Sequence, residues 1–165
     1  MRTIAIDQAT KTGWASWDGT HTASGVQDFK LKRGESPGMR YIRFEAWLRE
    51  ICDLVRPGLL VYEEPHHRGG AATEVAYGLV GIIKKEAATR KIEHTSVHTA
   101  TLKKWATGKG NASKEEMVAA ANDWPAREGL IYEGTEKLYH VEDDNEADAS
   151  LMLAYAREQF EKEGE

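Results

Sequence analysis

The chain has 165 residues, of which 41% are hydrophobic and 30% charged, and its formal net charge is −5. This length suits one domain with a single core, and we expect residues 1–165 to form it. The charge balance excludes a surface coated in positive charge. No apolar run is long enough to cross a bilayer and no signal segment stands at the start, so we expect a soluble, intracellular protein with no membrane partner.

The first stretch predicts a β-hairpin with an acid at its turn. Residues 4–6 form an apolar run that ends in Asp7, and a polar segment closed by Gly13 leads into a second apolar run. An acid at the end of a buried strand places a carboxylate beside the apolar interior of a sheet. Such a carboxylate can hold a metal ion if other carboxylates reach it from distant parts of the chain.

The middle of the chain predicts alternating strands and helices. The expected elements are a strand over residues 23–31, a helix over 37–55, a strand over 59–62, a helix over 71–91 and a strand over 92–97. The strand over 59–62 again ends in acids, Glu63 and Glu64. Strand, helix and strand in this order predict a parallel crossover. On the second helix, Gly78 and Gly81 are expected to let another backbone approach, either the sheet or a second subunit.

The next part predicts two short elements. Residues 99–106 form a short helical or irregular segment, and Ser113 with Glu116 fits a capping box for a helix that ends near residue 121. Pro125 is expected to break the chain soon after that helix.

The end of the chain predicts one long helix over residues 146–160. Asp144 or Asn145 can cap it. Its expected inner face consists of Ala147, Leu151, Ala154 and Tyr155.

Acids from three separate elements form the most informative pattern. Adjacent parallel strands would bring Asp7 and Glu63 side by side, and Asp144 and Asp148, four residues apart, would share one helix face above them. Such carboxylates repel one another unless divalent cations neutralise them, and oxygen ligands suit Mg²⁺, for which Mn²⁺ can substitute. The set predicts a metal site for phosphodiester hydrolysis, although each acid alone is typical of a solvated strand end or helix cap.

These motifs resemble those of RuvC-type Holliday-junction resolvases, and among them the short forms that bacteriophages carry. The likeness rests on Ile4-Ala-Ile-Asp7 with Thr12-Gly-Trp14, on Val61-Tyr-Glu63, on Glu146-Ala-Asp-Ala149 and on a basic segment over residues 97–117. It implies a ribonuclease-H-like α/β fold, a mixed central sheet of about five strands flanked by helices. It also implies a homodimer that uses Mg²⁺ to nick opposed strands of a four-way DNA junction, in the cytoplasm of a bacterium or of a phage-infected host.

The resemblance assigns roles to the acids. Asp7 is the central metal ligand, Glu63 is the acid of the adjacent strand, and Asp148 matches the last acid. The family tends to have a further acid three residues before Asp148, where this chain has Asn145. Either Asn145 ligates through its carbonyl, or Asp144 takes its place.

Residues 101–114 contain four lysines and no acid: Lys103, Lys104, Lys109 and Lys114. Because acids are absent, we expect contact with phosphate rather than only a solvated face. Lys103 and Lys114, which resemble the family's basic segment, are candidates to contact the scissile phosphate or to offset charge in the transition state. Trp105 either stacks on an unpaired base or anchors the loop to the core.

Three residues just after the acid at position 63 are expected to contact the DNA backbone: His66, His67 and Arg68. Two adjacent histidines do not easily face one ion, so zinc is not expected. His140 is expected to be a surface histidine, with assistance in proton transfer as the alternative.

Other functions fit parts of the pattern. A nuclease of the same fold can cleave RNA in an RNA–DNA hybrid or trim flaps, and a chain with these motifs can bind junctions without cutting them. Actin-like and sugar-kinase folds also begin with strand, acid and turn. Those folds normally need two such domains and glycine-rich phosphate loops, which makes them a poor match to this short chain.

Overall fold

A computed structural model describes residues 1–67, 69–127 and 140–161. Its strands are β1 Thr3–Asp7, β2 Lys11–Trp17, β3 Thr22–Asp28, β4 Leu59–Glu63 and β5 Glu93–Val97. Its helices are α1 Gly38–Val55, α2 Ala71–Arg90, α3 Thr99–Thr107, α4 Lys114–Arg127 and α5 Asp144–Glu161. None of these helices is long and apolar enough to cross a membrane. The single-domain prediction includes residues outside this description and stays a prediction.

The strands form one mixed sheet in the order β3-β2-β1-β4-β5. β2 is antiparallel to both β1 and β3, whereas β1, β4 and β5 are parallel to one another. The predicted hairpin and the predicted crossover through α2 are therefore confirmed. Since β1, β3, β4 and β5 run in the same direction, their last residues lie along one edge of the sheet. We call this edge, defined by Asp7, Asp28, Glu63 and Val97, the carboxyl edge.

The central strands fill a core on each face of the sheet because successive side chains point in opposite directions. Ile4 and Leu60 pack toward α1 and α2, whereas Ala5 and Val61 pack toward α3, α4 and α5. Cys52 is buried on the α1 side, as predicted, and burial raises the pKa of its thiol to about 11.

Gly78 provides a close approach between α1 and α2. A Cβ atom added there would lie 2.5 Å from a ring carbon of Tyr41, whereas one added at Gly81 would meet nothing within 4 Å. The approach expected at Gly78 is thus made by a side chain of α1 rather than by the sheet, and Gly81 faces open space.

Helix α4 begins with the predicted capping box and runs further than predicted. The Ser113 N–H donates to Glu116 Oε2 at 2.8 Å, and the Glu116 N–H donates to Ser113 Oγ at 3.2 Å. The predicted break at Pro125 is wrong, because the helix continues to Arg127. Trp124 packs against the buried core on this side of the sheet, so tertiary packing outweighs the local preference against proline.

Helix α5 begins at Asp144, and its cap is neither of the two predicted residues. Asp143 Oδ1 accepts the N–H groups of Asn145 at 2.9 Å and Glu146 at 3.3 Å. The predicted inner face was also too narrow, since α5 packs against the sheet and against α3 and α4. The buried side chains of α5 are Ala147, Ala149, Ser150, Leu151, Met152, Leu153, Ala154 and Ala156.

Candidate active site

Two acids meet where β1 and β4 end on the carboxyl edge. Ile6 pairs with Tyr62 in parallel register, so the next residue of each strand, Asp7 and Glu63, stand side by side. The two carboxyl groups lie close enough for the charge of Glu63 to raise the pKa of Asp7. Asp7 is only 7% exposed, so the pair lies at the boundary between the core and solvent.

Gln8 fixes the distance between these two strand ends. Its Nε2 donates to the Glu63 carbonyl at 2.6 Å, and its Oε1 accepts the Glu63 N–H at 3.1 Å. The buried side chain thereby replaces the backbone pairing that the strands no longer make at this point. It holds the acid of β4 beside the acid of β1.

Helix α5 brings two further acids over this pair because β2 has no side chain at Gly13. A Cβ atom added at Gly13 would lie 1.9 Å from the Asn145 carbonyl oxygen. The first turn of α5 therefore rests directly on the strand backbone. In this position the charges of Asp144 and Asp148 both act on Asp7.

Two side-chain contacts tie the start of α5 to the sheet. Lys11, at the start of β2, forms an ion pair and hydrogen bond with Asp143. Ser24, in β3, donates its hydroxyl to Glu146 Oε1 at 2.7 Å. The helix is thus held on two strands at once.

Two acids of this cluster, Asp7 and Asp148, have raised pKa values, so they hold their protons at a higher pH than ordinary carboxyl groups do. Burial raises the pKa of Asp7 well above its ordinary value, and the charge of Glu63 raises it further. Burial also raises the pKa of Asp148 to about 7, with a contribution from the Glu63 charge. Burial away from water and repulsion between the carboxylates therefore both raise the pKa values of these acids.

Two of the predicted lysines lie at this cluster. The Lys103 charge partly opposes the rise in the pKa of Asp148. Lys114 Nζ lies 2.5 Å from Asp144 Oδ2, and this hydrogen bond raises the pKa of Lys114. The charges of both ammonium groups therefore act on the acids of this cluster.

Glu63 has a further hydrogen-bond partner, Thr99. The Thr99 hydroxyl donates to Glu63 Oε1, and His66 Nε2 lies 2.7 Å from the same hydroxyl oxygen and 3.7 Å from Glu63 Oε1. The ring of His98, the residue that caps α3, lies 5.1 Å from the His66 ring. His66 thus faces the acidic site itself.

The donor set suits a hard divalent cation, although the side chains are not arranged around one. Within the described residues, no group of three or more His, Cys, Asp or Glu side chains is positioned as a ready set of metal ligands. Asp144 is bonded to Lys114, so this carboxylate would have to exchange its partner. Asp148 Oδ1 is buried without a hydrogen-bond partner, which is the state that a cation would relieve. The magnesium prediction stays a prediction.

The remaining predicted residues lie further from the acids or are engaged elsewhere. Lys109 pairs with Glu116 at 2.7 Å, and Lys104 is exposed on α3. His67 is exposed and its ring lies 5.4 Å from that of Tyr77. Arg68 lies outside the described residues.

Trp105 is held by its neighbours. Its indole N–H donates to Glu158 Oε2 at 3.0 Å, and its ring packs against Trp124 and Tyr155. These contacts correspond to the anchoring role predicted as one of the two alternatives. His140 is an exposed side chain near Glu142, which agrees with a surface histidine.

Several residues that build the site carry no signal in the sequence. Four polar side chains form hydrogen bonds with residues that lie 36 to 132 positions away along the chain: Gln8, Lys11, Ser24 and Thr99. Gly13 belongs to the hairpin motif, but only the structure shows that its missing side chain makes room for α5.

The described elements form the ribonuclease-H-like fold of RuvC-type resolvases. Thermus thermophilus RuvC, solved in complex with a Holliday junction substrate, matches with a TM-score of 0.72 and 20% identity over 96% of each chain. The fowlpox virus resolvase, solved with substrate Holliday junction DNA, matches with a TM-score of 0.59 and 12% identity over 97% of this chain and 99% of that chain. The yeast mitochondrial Holliday junction resolvase Ydc2 matches with a TM-score of 0.58 and 13% identity over 98% and 85% of the two chains. No protein-family model matches the sequence, and no curated protein sequence matches it significantly.

Proposed function

We propose that this protein is a Mg²⁺-dependent endonuclease that resolves four-way DNA junctions by hydrolytic nicking of opposed strands. One observation carries the proposal: acids from β1, β4 and α5 converge on one edge of a sheet that has the fold of RuvC-type resolvases. Two solved proteins of this fold are complexes with Holliday junction DNA, which supports a junction as the substrate.

Four carboxylates would hold the metal. Asp7 occupies the centre, because the charges of Glu63, Asp144 and Asp148 all act on it. We assign the additional helix ligand to Asp144 rather than Asn145, since the Asp144 charge acts on both Asp7 and Asp148. Divalent ions bound here would supply an activated water and stabilise the leaving oxygen, and Mn²⁺ would substitute for Mg²⁺.

Lys103 and Lys114 would bind the scissile phosphate. Lys103 stands close to Asp148, and Lys114 pairs with the exposed side of Asp144. An ammonium group placed here can bind a non-bridging phosphate oxygen and offset the charge that develops in the transition state. Lys114 would exchange Asp144 for phosphate when a cation takes over that carboxylate.

Symmetric cutting requires two active sites. We propose that the protein acts as a homodimer, because two sites related by a two-fold axis suit a four-armed junction. An origin in a bacteriophage and a cytoplasmic location belong to the same proposal.

The decisive experiment uses a synthetic four-way junction with each strand labelled in turn, incubated with Mg²⁺, Mn²⁺ or EDTA. We expect paired nicks on opposed strands with either metal and none in EDTA. Asp7→Asn should lower the nicking rate by on the order of 10³-fold while sparing junction binding, because it removes a ligand but no phosphate contact. Glu64→Gln is the matched control, since Glu64 is exposed just beyond β4.

The same assay tests the alternatives. A linear duplex, a flap and an RNA–DNA hybrid are digested alongside the junction. Preferential cutting of the hybrid or the flap would assign a different nuclease activity to the same acids. Junction binding without metal-dependent cutting would indicate a binding protein, and wild-type nicking by Asp7→Asn would remove Asp7 from the mechanism.

A further inference from the structure

The loop between β3 and α1 carries three exposed cations beside the carboxyl edge: Lys30, Lys32 and Arg33. We propose that this loop, residues 29–35, binds the phosphate backbone of a junction arm next to the cut. We call it the basic loop. The inference rests on the proposed function, because it requires a DNA substrate, and it adds a contact surface to that function.

The basic loop lies on the opposite side of Asp7 from Lys103, one of the predicted lysines. β3 is separated from β1 only by β2, so its end lies about 10 Å along the edge from Asp7. The Phe29 N–H donates to the Thr10 carbonyl at 2.8 Å, which joins the loop to the turn that follows Asp7. β4, β5 and the helix with Lys103 lie on the other side. A duplex that crosses the acids can therefore meet positive charge on both flanks.

The backbone of the loop is held firmly against the core. Phe29 is only 2% exposed and packs edge-on against Phe44 and Trp47 at centroid distances of 5.3 and 5.7 Å. Arg40 Nε donates to the Phe29 carbonyl at 3.3 Å. A surface that is already ordered loses little conformational entropy when it binds a ligand.

The acid within the loop is occupied by other partners. Both terminal nitrogens of Arg43 donate to the Glu35 carboxylate, one of them at 2.8 Å, and the Lys32 N–H donates to Glu35 Oε2 at 2.7 Å. The hydrogen bond from Arg43 lowers the pKa of Glu35 to about 2, which keeps this carboxylate ionised and paired. The neighbouring acid, Asp28, accepts the Lys30 N–H at 2.8 Å through its Oδ1. These acids order the loop by bonding its backbone.

The three cations themselves are not neutralised by ion pairs. Within the described residues, no acid oxygen lies within 4.0 Å of the charged nitrogens of Lys30, Lys32 or Arg33. By contrast, Lys85 and Lys109 each bind a carboxylate at 2.6 to 2.7 Å. In a protein with a net charge of −5, three cations without a close ion pair on one ordered loop beside the acids form a local site for a polyanion.

The test compares two double variants that lose the same charge. Lys32→Ala/Arg33→Ala removes two cations from the basic loop. Arg56→Asn/Lys91→Asn removes two cations from the opposite edge of the sheet, where both residues have a positive φ that asparagine tolerates. Each protein is titrated against a four-way junction in EDTA over a range of salt concentrations.

We expect the loop variant to bind the junction roughly 10-fold or more weakly at 0.1 M salt. The slope of log affinity against log salt should fall by about 0.9 for each lost phosphate contact, hence by about 2. Addition of Lys30→Ala should lower the slope by roughly one more unit. The control variant should keep the wild-type slope.

A second measurement locates the contact on the DNA. An offset of about 10 Å corresponds to about three base pairs at 3.4 Å each. Neutral methylphosphonates at that distance from the cut should weaken wild-type binding and have no further effect on the loop variant. An unchanged slope in the loop variant would overturn the proposal and leave the proposed function intact. Absence of junction binding and nicking by the wild type would overturn both.

Discussion

At the scale of single residues, Thr99 determines how Glu63 presents its carboxylate. Glu63 stands beside Asp7 and accepts a hydrogen bond from the Thr99 hydroxyl. His66 Nε2 bonds the same hydroxyl at 2.7 Å, so the hydroxyl is oriented by two partners. A carboxylate held by a fixed donor on one oxygen can turn its other oxygen toward a metal ion without losing rotational freedom on binding.

Thr99→Val tests this role because valine keeps the shape of threonine and removes only the hydroxyl. We expect the variant to need roughly 10- to 100-fold more Mg²⁺ for half-maximal nicking, the usual effect of losing the partner of a metal ligand. Thr99→Ser restores the hydroxyl and should return the Mg²⁺ requirement to the wild-type range. The measurement is the nicking rate as a function of Mg²⁺ concentration, with melting temperature as the control for folding.

The Mg²⁺ dependence separates positioning from simple packing. If Thr99→Ser needed as much Mg²⁺ as Thr99→Val, the hydroxyl would not be the group that sets the Mg²⁺ requirement. If Thr99→Val lowered only the maximal rate, Thr99 would act on the reaction rather than on the binding of the ion.

At the scale of elements, the position of α5 decides whether the acids meet. Helix α5 contributes two of the four carboxylates, and its start touches the sheet at the bare backbone of Gly13. Lys11 and Ser24 hold the same turn through Asp143 and Glu146. The sheet therefore sets the height of α5 above Asp7.

Gly13→Ala should lift the start of α5 away from the acids. The new Cβ atom would lie 1.9 Å from a backbone oxygen, so the helix rather than a flexible side chain must move. Displacement of a reacting group by about 1 Å can lower a rate by about 10²-fold, and we expect a loss of this size in nicking. Overpacking should also destabilise the protein by about 1–3 kcal/mol.

Gly38→Ala is the matched control for this substitution. Its Cβ atom would lie 3.6 Å from Ser36 Oγ, an ordinary contact at the start of α1. Wild-type nicking by Gly13→Ala would show that the close contact with α5 is not needed for the site.

The elements themselves were largely predictable from local patterns. Apolar runs that stop at Asp7 and at Glu63 mark buried strands and their ends. The order of strand, helix and strand predicts the parallel pairing of β4 and β5. Asp144 and Asp148 lie four residues apart on one helix, as expected, although the helix begins earlier than predicted.

The parts that were missed depend on contacts between distant segments. Each of three consecutive residues, Asp143, Asp144 and Asn145, is of a type that can cap a helix. Asp143 becomes the cap because the first turn of α5 packs against β2 at Gly13. Thr99 and Gln8 are common polar residues whose partners become neighbours only in the folded sheet. Local sequence therefore predicts which acids converge, but not what holds them in place.

At the scale of the whole molecule, the acidic cluster opposes the stability of the fold. The carboxylates of Asp7, which is buried, and of Asp148, which is half-buried, repel their neighbours unless a cation or protons neutralise them. The core residues on both faces of the sheet must supply enough stability to offset this local repulsion. Such a trade between stability and activity is common where an active site collects like charges.

This opposition predicts a pH-dependent stability that Asp148→Asn should remove. The pKa of Asp148 rises from an ordinary value of 3.8 to about 7 in the folded protein. Between these values the unfolded chain has lost a proton that the folded protein still holds, so stability falls as pH rises through this window. At about 1.4 kcal/mol for each pH unit, the full loss is about 4 kcal/mol.

Urea unfolding in EDTA from pH 4.5 to pH 8 measures the effect. Relative to Asp148→Asn, the wild type should lose about 3 kcal/mol of stability over this pH range, because part of the full loss has already occurred at pH 4.5. Asp123→Asn, an exposed acid of α4, should follow the wild type. At pH 8, Mg²⁺ should stabilise the wild type by about 2.7 kcal/mol when present at 100 times its dissociation constant, and should stabilise Asp148→Asn less. Identical pH profiles for the wild type and Asp148→Asn would show that folding does not raise the pKa of Asp148. Repulsion at this carboxylate would then not favour the binding of a cation.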